Sequence, residues 1–172
     1  MQPAPRYRLL VFRLPWWLAL LTLLHGLGHP AGAAEKALPV PRFASLRSGE
    51  VNLRSGPGER YPIEWVLTKK GLPVEIVQEF DVWRKIRDAE GSLGWVHQRM
   101  VSGARTVIVI GAVRTLHADP DAAAPAVARA EPGLVARLLE CRGGWCRIEA
   151  QDVKGWLTRG EVWGVFADEA VP

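Results

Sequence analysis

The sequence predicts an all-β fold of two tandem small β-barrels behind an N-terminal signal-peptide helix. Three observations carry this prediction. The first residues are ordered as cationic, apolar and then small. A set of residues recurs in one order at almost one spacing. The segments between turn residues are short and rich in β-branched and aromatic side chains.

The leader comes first because it has to be set aside before the fold is read. Arg6, Arg8 and Arg13 carry positive charge with no acid among them, and the apolar run Leu14–Leu24 follows. Ala31-Gly32-Ala33-Ala34 then supplies small residues, the order a secretory signal peptide requires. The run is about 11 residues, short of the roughly 20 that span a bilayer as a helix. Residues 1–33 are read as the signal peptide, cleaved after Ala33 or else after Ala34, and residues 34–42 as a linker. The protein is therefore expected to be periplasmic or secreted, touching a membrane only through the leader before cleavage.

Removing the leader alters the electrostatics. The chain has 22 basic and 18 acidic side chains, formally +4. Three of the basic groups lie in residues 1–33, so the remainder is +1. No block of Lys or Arg remains, and nucleic-acid binding is not expected.

The repeat organises what is left. Val51-Asn52-Leu53-Arg54-Ser55-Gly56-Pro57-Gly58 aligns, 63 positions on, with Arg114-Thr115-Leu116-His117-Ala118-Asp119-Pro120-Asp121, and Pro62 aligns with Pro125. Trp83-x-x-Ile86 falls on Trp145-x-x-Ile148, and Gly94-Trp95 on Gly155-Trp156. Two homologous units follow, 43–103 and 105–168.

The strand-like runs in the first unit are Phe43–Arg47, Val74–Phe80, Val82–Asp88 and Leu93–His97. In the second they are Thr106–Ile110, Leu134–Cys141, Trp145–Glu149 and Gly155–Thr158. The Ala-rich piece Ala122–Ala130, broken by Pro125, is read as a long loop. Most of the six tryptophans after the leader are assigned to the core, which a unit of this size needs to fill.

The order Asn52-Leu53-Arg54-Ser55-Gly56-Pro57-Gly58, Tyr61-Pro62, Lys70-Gly71, Trp83-x-x-Ile86, Gly94-Trp95-Val96 resembles the bacterial SH3 (SH3b) domain family. The second unit resembles a diverged copy that has lost the glycine turn. The resemblance implies barrels of five to seven strongly bent antiparallel strands. It also implies a targeting or adaptor role, frequently on cell-wall hydrolases.

Cys141 and Cys146 flank Arg142-Gly143-Gly144-Trp145. Gly-Gly suits a two-residue hairpin turn with positive φ at both centres, which puts the cysteines opposite each other with Cα atoms about 4.5 Å apart. A disulfide is expected, since secretion supplies an oxidising compartment. The alignment places Glu79 and Arg84 on the equivalent rung of the first unit, as an opposite-charge pair.

No catalytic constellation, metal-ligand spacing or cofactor motif stands out, so no catalytic residue, metal or cofactor is assigned. His97 and His117 are read as surface residues. The candidate ligand-binding residues are Tyr61, Trp65 and Trp83, with Tyr61 and Trp65 on the long loop after Ser55. Aromatic grooves of this kind take extended peptides, so a peptidoglycan peptide or a partner-protein segment is the expected ligand of a non-catalytic binding module. The alternative is a structural subunit or spacer of two packed barrels without a groove. An open aromatic patch favours the first, and a patch covered by the sister barrel the second.

Overall fold

The computed structural model describes residues 38–172. The expected signal peptide with its helix, the cleavage site and residues 34–37 of the expected linker lie outside the described residues. Residues Leu38–Pro172 form one compact unit.

That unit holds two seven-stranded sheets built to the same plan. The first consists of β1 (Arg42–Leu46), β2 (Val51–Arg54), β3 (Ile63–Leu67), β4 (Pro73–Phe80), β5 (Trp83–Arg87), β6 (Leu93–His97) and β7 (Val101–Ser102). The second consists of β8 (Thr106–Val109), β9 (Arg114–His117), β10 (Ala126–Ala130), β11 (Val135–Arg142), β12 (Trp145–Ala150), β13 (Val153–Thr158) and β14 (Val162–Trp163). The spatial order is β3-β2-β6-β5-β4-β1-β7 in one and β10-β9-β13-β12-β11-β8-β14 in the other, the same order shifted by seven strands. The only helical turns among the described residues are the 3-10 turns Gln98–Met100 and Arg159–Glu161, each leading into the last strand of its sheet.

The equivalence extends to irregularities. The β2–β3 register jumps between Leu53 and Arg54 and leaves Glu64 unpaired, as the β9–β10 register leaves Val127 unpaired. A second bulge leaves out Val77 in β4 and Leu139 in β11. Each bulge adds one residue and a local bend. Their recurrence at matching positions means that both copies coil their sheets at the same points.

The Gly-Trp pairs follow from strand alternation. Gly94 faces inward beside Val96, and a Cβ there would meet Leu53 Cγ at 2.4 Å. Gly155 meets Leu116 Cβ and Val127 Cγ2 at 2.9 Å in the same way. Each glycine lets the crossing strand approach, and the following tryptophan is thrown to the outer face. The interior is therefore aliphatic: Leu46, Val51, Leu53, Val74, Ile76, Ile86 and Val96 in the first barrel, and Val107, Val109, Leu138, Ile148, Leu157 and Val162 in the second. Of the tryptophans expected in the core, Trp83, Trp95 and Trp156 are buried, though outside these aliphatic clusters, whereas Trp145 and Trp163 are half-buried and Trp65 is 63% exposed.

Two further corrections concern backbone. Ala126–Ala130 is strand β10, not loop, because Pro125 stands just before it and Ala118 N–H closes the preceding loop on Pro125 O at 2.9 Å. Trp65 likewise belongs to β3 and not to the loop after Ser55. At the cysteine hairpin only Gly143 takes positive φ (54°), matched by Asp81 (49°) in the first copy. The cysteines form the expected disulfide, with Cα atoms 4.1 Å apart.

The barrels meet along a seam. Phe43 on β1 packs edge-on against Trp163 of β14, ring centroids 5.0 Å apart, and against Phe166 at 4.6 Å. The Arg105 guanidinium lies 6.0 Å from the Phe43 ring and is paired with Glu169. Thr106 Oγ1 donates to Gly71 O at 2.7 Å, and Lys69 Nζ donates to Gly133 O. The C-terminal segment is tied down by Arg159, which donates to Phe166 O (2.7 Å) and Glu169 O (2.8 Å), and by Cys141 N–H, which donates to Val171 O at 2.9 Å.

Candidate functional site

The loop after β2 is shaped by two close approaches. Gly56 packs flat on the Tyr61 ring, where a Cβ would come within 2.4 Å of Cδ1. Arg54 then spans the loop from below, its Nη1 donating to Tyr61 O at 2.8 Å and to Glu59 O at 3.0 Å. Ser55 N–H closes on Pro62 O at 3.1 Å. A charged donor satisfying two loop carbonyls is among the stronger hydrogen-bond arrangements. It gives this loop a fixed form without regular structure.

Opposite the loop stands the β5–β6 edge. Trp83 and His97 are direct cross-strand partners and meet edge to face, centroids 5.6 Å apart at 78°. His97 Nδ1 accepts from Arg99 N–H at 3.1 Å, capping the Gln98–Met100 turn. That assigns the proton of the neutral ring to Nε2. Gln98 N–H donates to Val82 O at 2.7 Å, and Arg84 donates to Gln98 Oε1 at 2.8 Å, so the turn is locked to the β4–β5 hairpin.

Between loop and turn lies an open cleft of about 330 Å³. Trp83, His97 and Met100 give it an apolar and aromatic side, and Asn52 lines it. Glu50 and Glu59 supply carboxylates, and Arg54 and Arg99 supply guanidinium groups. The cleft thus presents both signs of charge around an aromatic ring, an arrangement suited to an extended, zwitterionic chain. None of its lining residues takes part in the contacts of Phe43, Gly71, Lys69, Arg105 or Thr106 that form the seam.

Of the three residues singled out from sequence, only Trp83 lines the cleft. Tyr61 shapes the loop: its ring is held by Gly56 and by Arg60, whose guanidinium carbon lies 5.3 Å from the ring centroid. Trp65 projects from the edge strand β3 elsewhere. Sequence reading missed Glu50, Glu59 and Arg99, and took His97 for a surface residue. The available signal for His97 was its position two residues after Trp95, which carries it to the rung of Trp83.

The second barrel makes a His–Trp contact from a different position, because the rung partner of Trp145 is Thr158. His117 meets Trp145 at 5.7 Å and 85°. His117 occupies the aligned position of Arg54, so no guanidinium braces the loop; its Nδ1 instead bonds Ala124 O at 3.0 Å. Arg142 stacks over Trp156 at 5.5 Å. Both sulfurs are in the disulfide, and neither is available as a thiolate nucleophile. Among the described residues no three His, Cys, Asp or Glu side chains converge as a metal site.

A family model described as "Bacterial SH3 domain" matches residues 47–103 and again 113–164. The chain is 25% identical over 126 residues to "Putative N-acetylmuramoyl-L-alanine amidase YrvJ" of Bacillus subtilis (strain 168), a match covering 67% of this chain and 24% of that one. Similar solved structures are NlpC2 from Trichomonas vaginalis (11% identity, TM-score 0.33, 74% of this chain and 49% of that) and an NlpC/P60 family protein from Bacillus cereus ATCC 10987 (14% identity, TM-score 0.33, 76% and 58%). The chain spans 24% to 58% of the length of these proteins.

Proposed function

The chain belongs to the bacterial SH3 domain family, and from that premise we propose that it is a non-catalytic, extracytoplasmic binding module. Its first barrel receives a peptide-like cell-wall ligand in the cleft beside Trp83. In this reading residues 1–33 are a removable leader to the periplasm or exterior, 34–42 a linker, and 43–103 and 105–168 the two modules.

The observation that carries the proposal is the cleft itself, with Trp83 and His97 on one side, charges of both signs around them, and the sister barrel engaged elsewhere. Peptidoglycan stem peptides are short, extended and zwitterionic. Glu50 and Glu59 suit an ammonium, Arg99 suits a carboxylate, and Trp83 with Met100 lines the apolar side. The resemblance to the amidase, which covers only a quarter of that protein, points to the same setting.

The test is retention of the protein on purified peptidoglycan, beside Glu59→Ala/Arg99→Ala and Trp83→Phe variants. Retention lost in the double variant, with the circular dichroism unchanged, supports the cleft. Equal retention in all forms places binding elsewhere. Capture only by a periplasmic protein segment, with no retention on the wall polymer, assigns the cleft to a protein ligand.

One observation favours a second reading, that of a rigid spacer. The grip of Trp163 and Phe166 on Phe43 joins the barrels without using the cleft, so the two readings are compatible. Absence of any ligand for the cleft leaves the spacer alone.

A further inference from the structure

A second opening in the molecule is unlike the cleft. It lies at the end of the second barrel, has a volume of about 170 Å³, and is lined by Leu116, Ala128, Ile148 and Ala150 with Arg129 and Gln151 as polar neighbours. An engineered apolar cavity of roughly 150 Å³ stays dry and takes up benzene, so this opening is the size of one aromatic ring.

The two copies differ at this position. Ala128 pairs with Leu116 across β9–β10 as Trp65 pairs with Leu53 across β2–β3, each immediately after the matching bulge. The second copy thus has a methyl group where the first has an indole. Ala150, in turn, stands where the first copy has Asp88. Trp65 itself is 63% exposed on β3, on the face of its cross-strand partner Leu53. Tryptophan is among the residues that most often anchor an interface by entering a pocket.

Charge selects the occupant. Glu64, next to Trp65, is exposed and makes no ion pair among the described residues; Arg129, next to Ala128, is likewise exposed and unpaired there. Both pairs sit on the edge strand of their sheet, β3 and β10. We propose that Trp65 of one copy inserts into the Leu116/Ala128/Ile148 pocket of a second copy, with Glu64 facing Arg129. The contact joins unlike surfaces, so it either closes reciprocally into a dimer or propagates. It does not involve the cleft and does not depend on what the cleft binds. A contact with a single anchor is small, and its association belongs to the weak, transient range.

The test is sedimentation velocity on residues 38–172, which form one compact unit, from micromolar to millimolar protein. The wild type should show a mass that rises with concentration. Trp65→Ala, which removes an exposed side chain, and Ala128→Trp, which puts an indole at the pocket, should both stay monomeric. Glu64→Arg should weaken association, and Glu64→Arg with Arg129→Glu should restore it. A wild type monomeric throughout, or a Trp65→Ala variant that associates like the wild type, overturns the proposal. So does binding of N-acetyl-tryptophanamide in the pocket of a protein that never self-associates.

Discussion

Arg84 Nε lies 2.9 Å from Glu79 Oε1 on the rung of the first hairpin that corresponds to Cys141 and Cys146 in the second. Arg42 reaches the same carboxylate from β1. One copy closes this rung by charge and the other by a covalent bond, in the same register and next to the same type of positive-φ turn. A ladder position that accepts either solution is fixed by the hairpin, not by the chemistry of the pair.

The disulfide should therefore be dispensable for the fold. A loop this short contributes about 2 kcal/mol in the chain-entropy model. Cys141→Ser/Cys146→Ser should lower the urea midpoint by a corresponding amount while leaving the circular dichroism unchanged. Cys141→Glu/Cys146→Arg should recover part of the loss. A Cys-free protein that does not fold would contradict the equivalence.

Gly94 and Gly155 should not tolerate a methyl group. The added Cβ meets Leu53 Cγ in one barrel and Leu116 Cβ in the other, and overpacking of this kind costs about 1–3 kcal/mol. Gly94→Ala and Gly155→Ala should each lower the thermal midpoint by several degrees, whereas Gly160→Ala, with open space around it, should not.

Phe43→Ala should separate the barrels as well as destabilise them. Removal of a buried phenylalanine costs about 3–5 kcal/mol, and here the ring is shared between β1 and the Trp163/Phe166 pair. Scanning calorimetry should show one coupled transition in the wild type and two resolved transitions in the variant. A single transition in both would mean that the barrels are coupled through other contacts.

The seam should also weaken in acid. Burial opposes the ionisation of Glu169, but hydrogen bonds from Arg105 and the Phe166 N–H, with the charges of Arg105 and Arg159, hold its carboxyl below the usual glutamate range. A group depressed in the folded state adds stability that is complete above its unfolded value, about 4.3, and is lost as pH falls through its folded value. The thermal midpoint should fall over that interval, and Glu169→Gln should flatten the fall.

Arg54→Met should loosen the loop without unfolding the barrel. It frees Tyr61 O and Glu59 O, and amide exchange across Ser55–Pro62 should accelerate while exchange in β4 and β5 stays slow. If the cleft binds its ligand through a fixed loop, affinity should fall in the same variant.

The fold was legible because the signals that specify a coiled β-sheet are local and occur twice. Gly94-Trp95, Gly155-Trp156 and the tryptophans of β5 and β12 are alternation made visible, and the cysteine rung followed from a two-residue turn. Strand β10 was not legible. A run of alanines around Pro125 has no β signature of its own, and it becomes a strand only because Arg114–His117 offers it a ladder. The tryptophans were partly legible. Trp83, Trp95 and Trp156 are buried, but the inward Gly94 and Gly155 put Trp95 and Trp156 on the other face of their strands from the aliphatic core. Trp65 on the edge strand β3 stays exposed. The cleft was only partly legible. Trp83 carried a signal, whereas Glu50, Glu59 and Arg99 are ordinary surface residues until Arg54 and the His97 cap bring loop and turn face to face. Nor could a single chain pattern show that Phe43 and Trp163 touch.

That last contact has a mechanical consequence. Val171 is bridged to Cys141 of β11 and Arg42 is paired with Ile76 of β4, so tension applied between residues 38 and 172 loads these sheet contacts together with the aromatic clasp. The two barrels should therefore resist a pull on the ends of the described chain as one body, with clasp and sheets sharing the load.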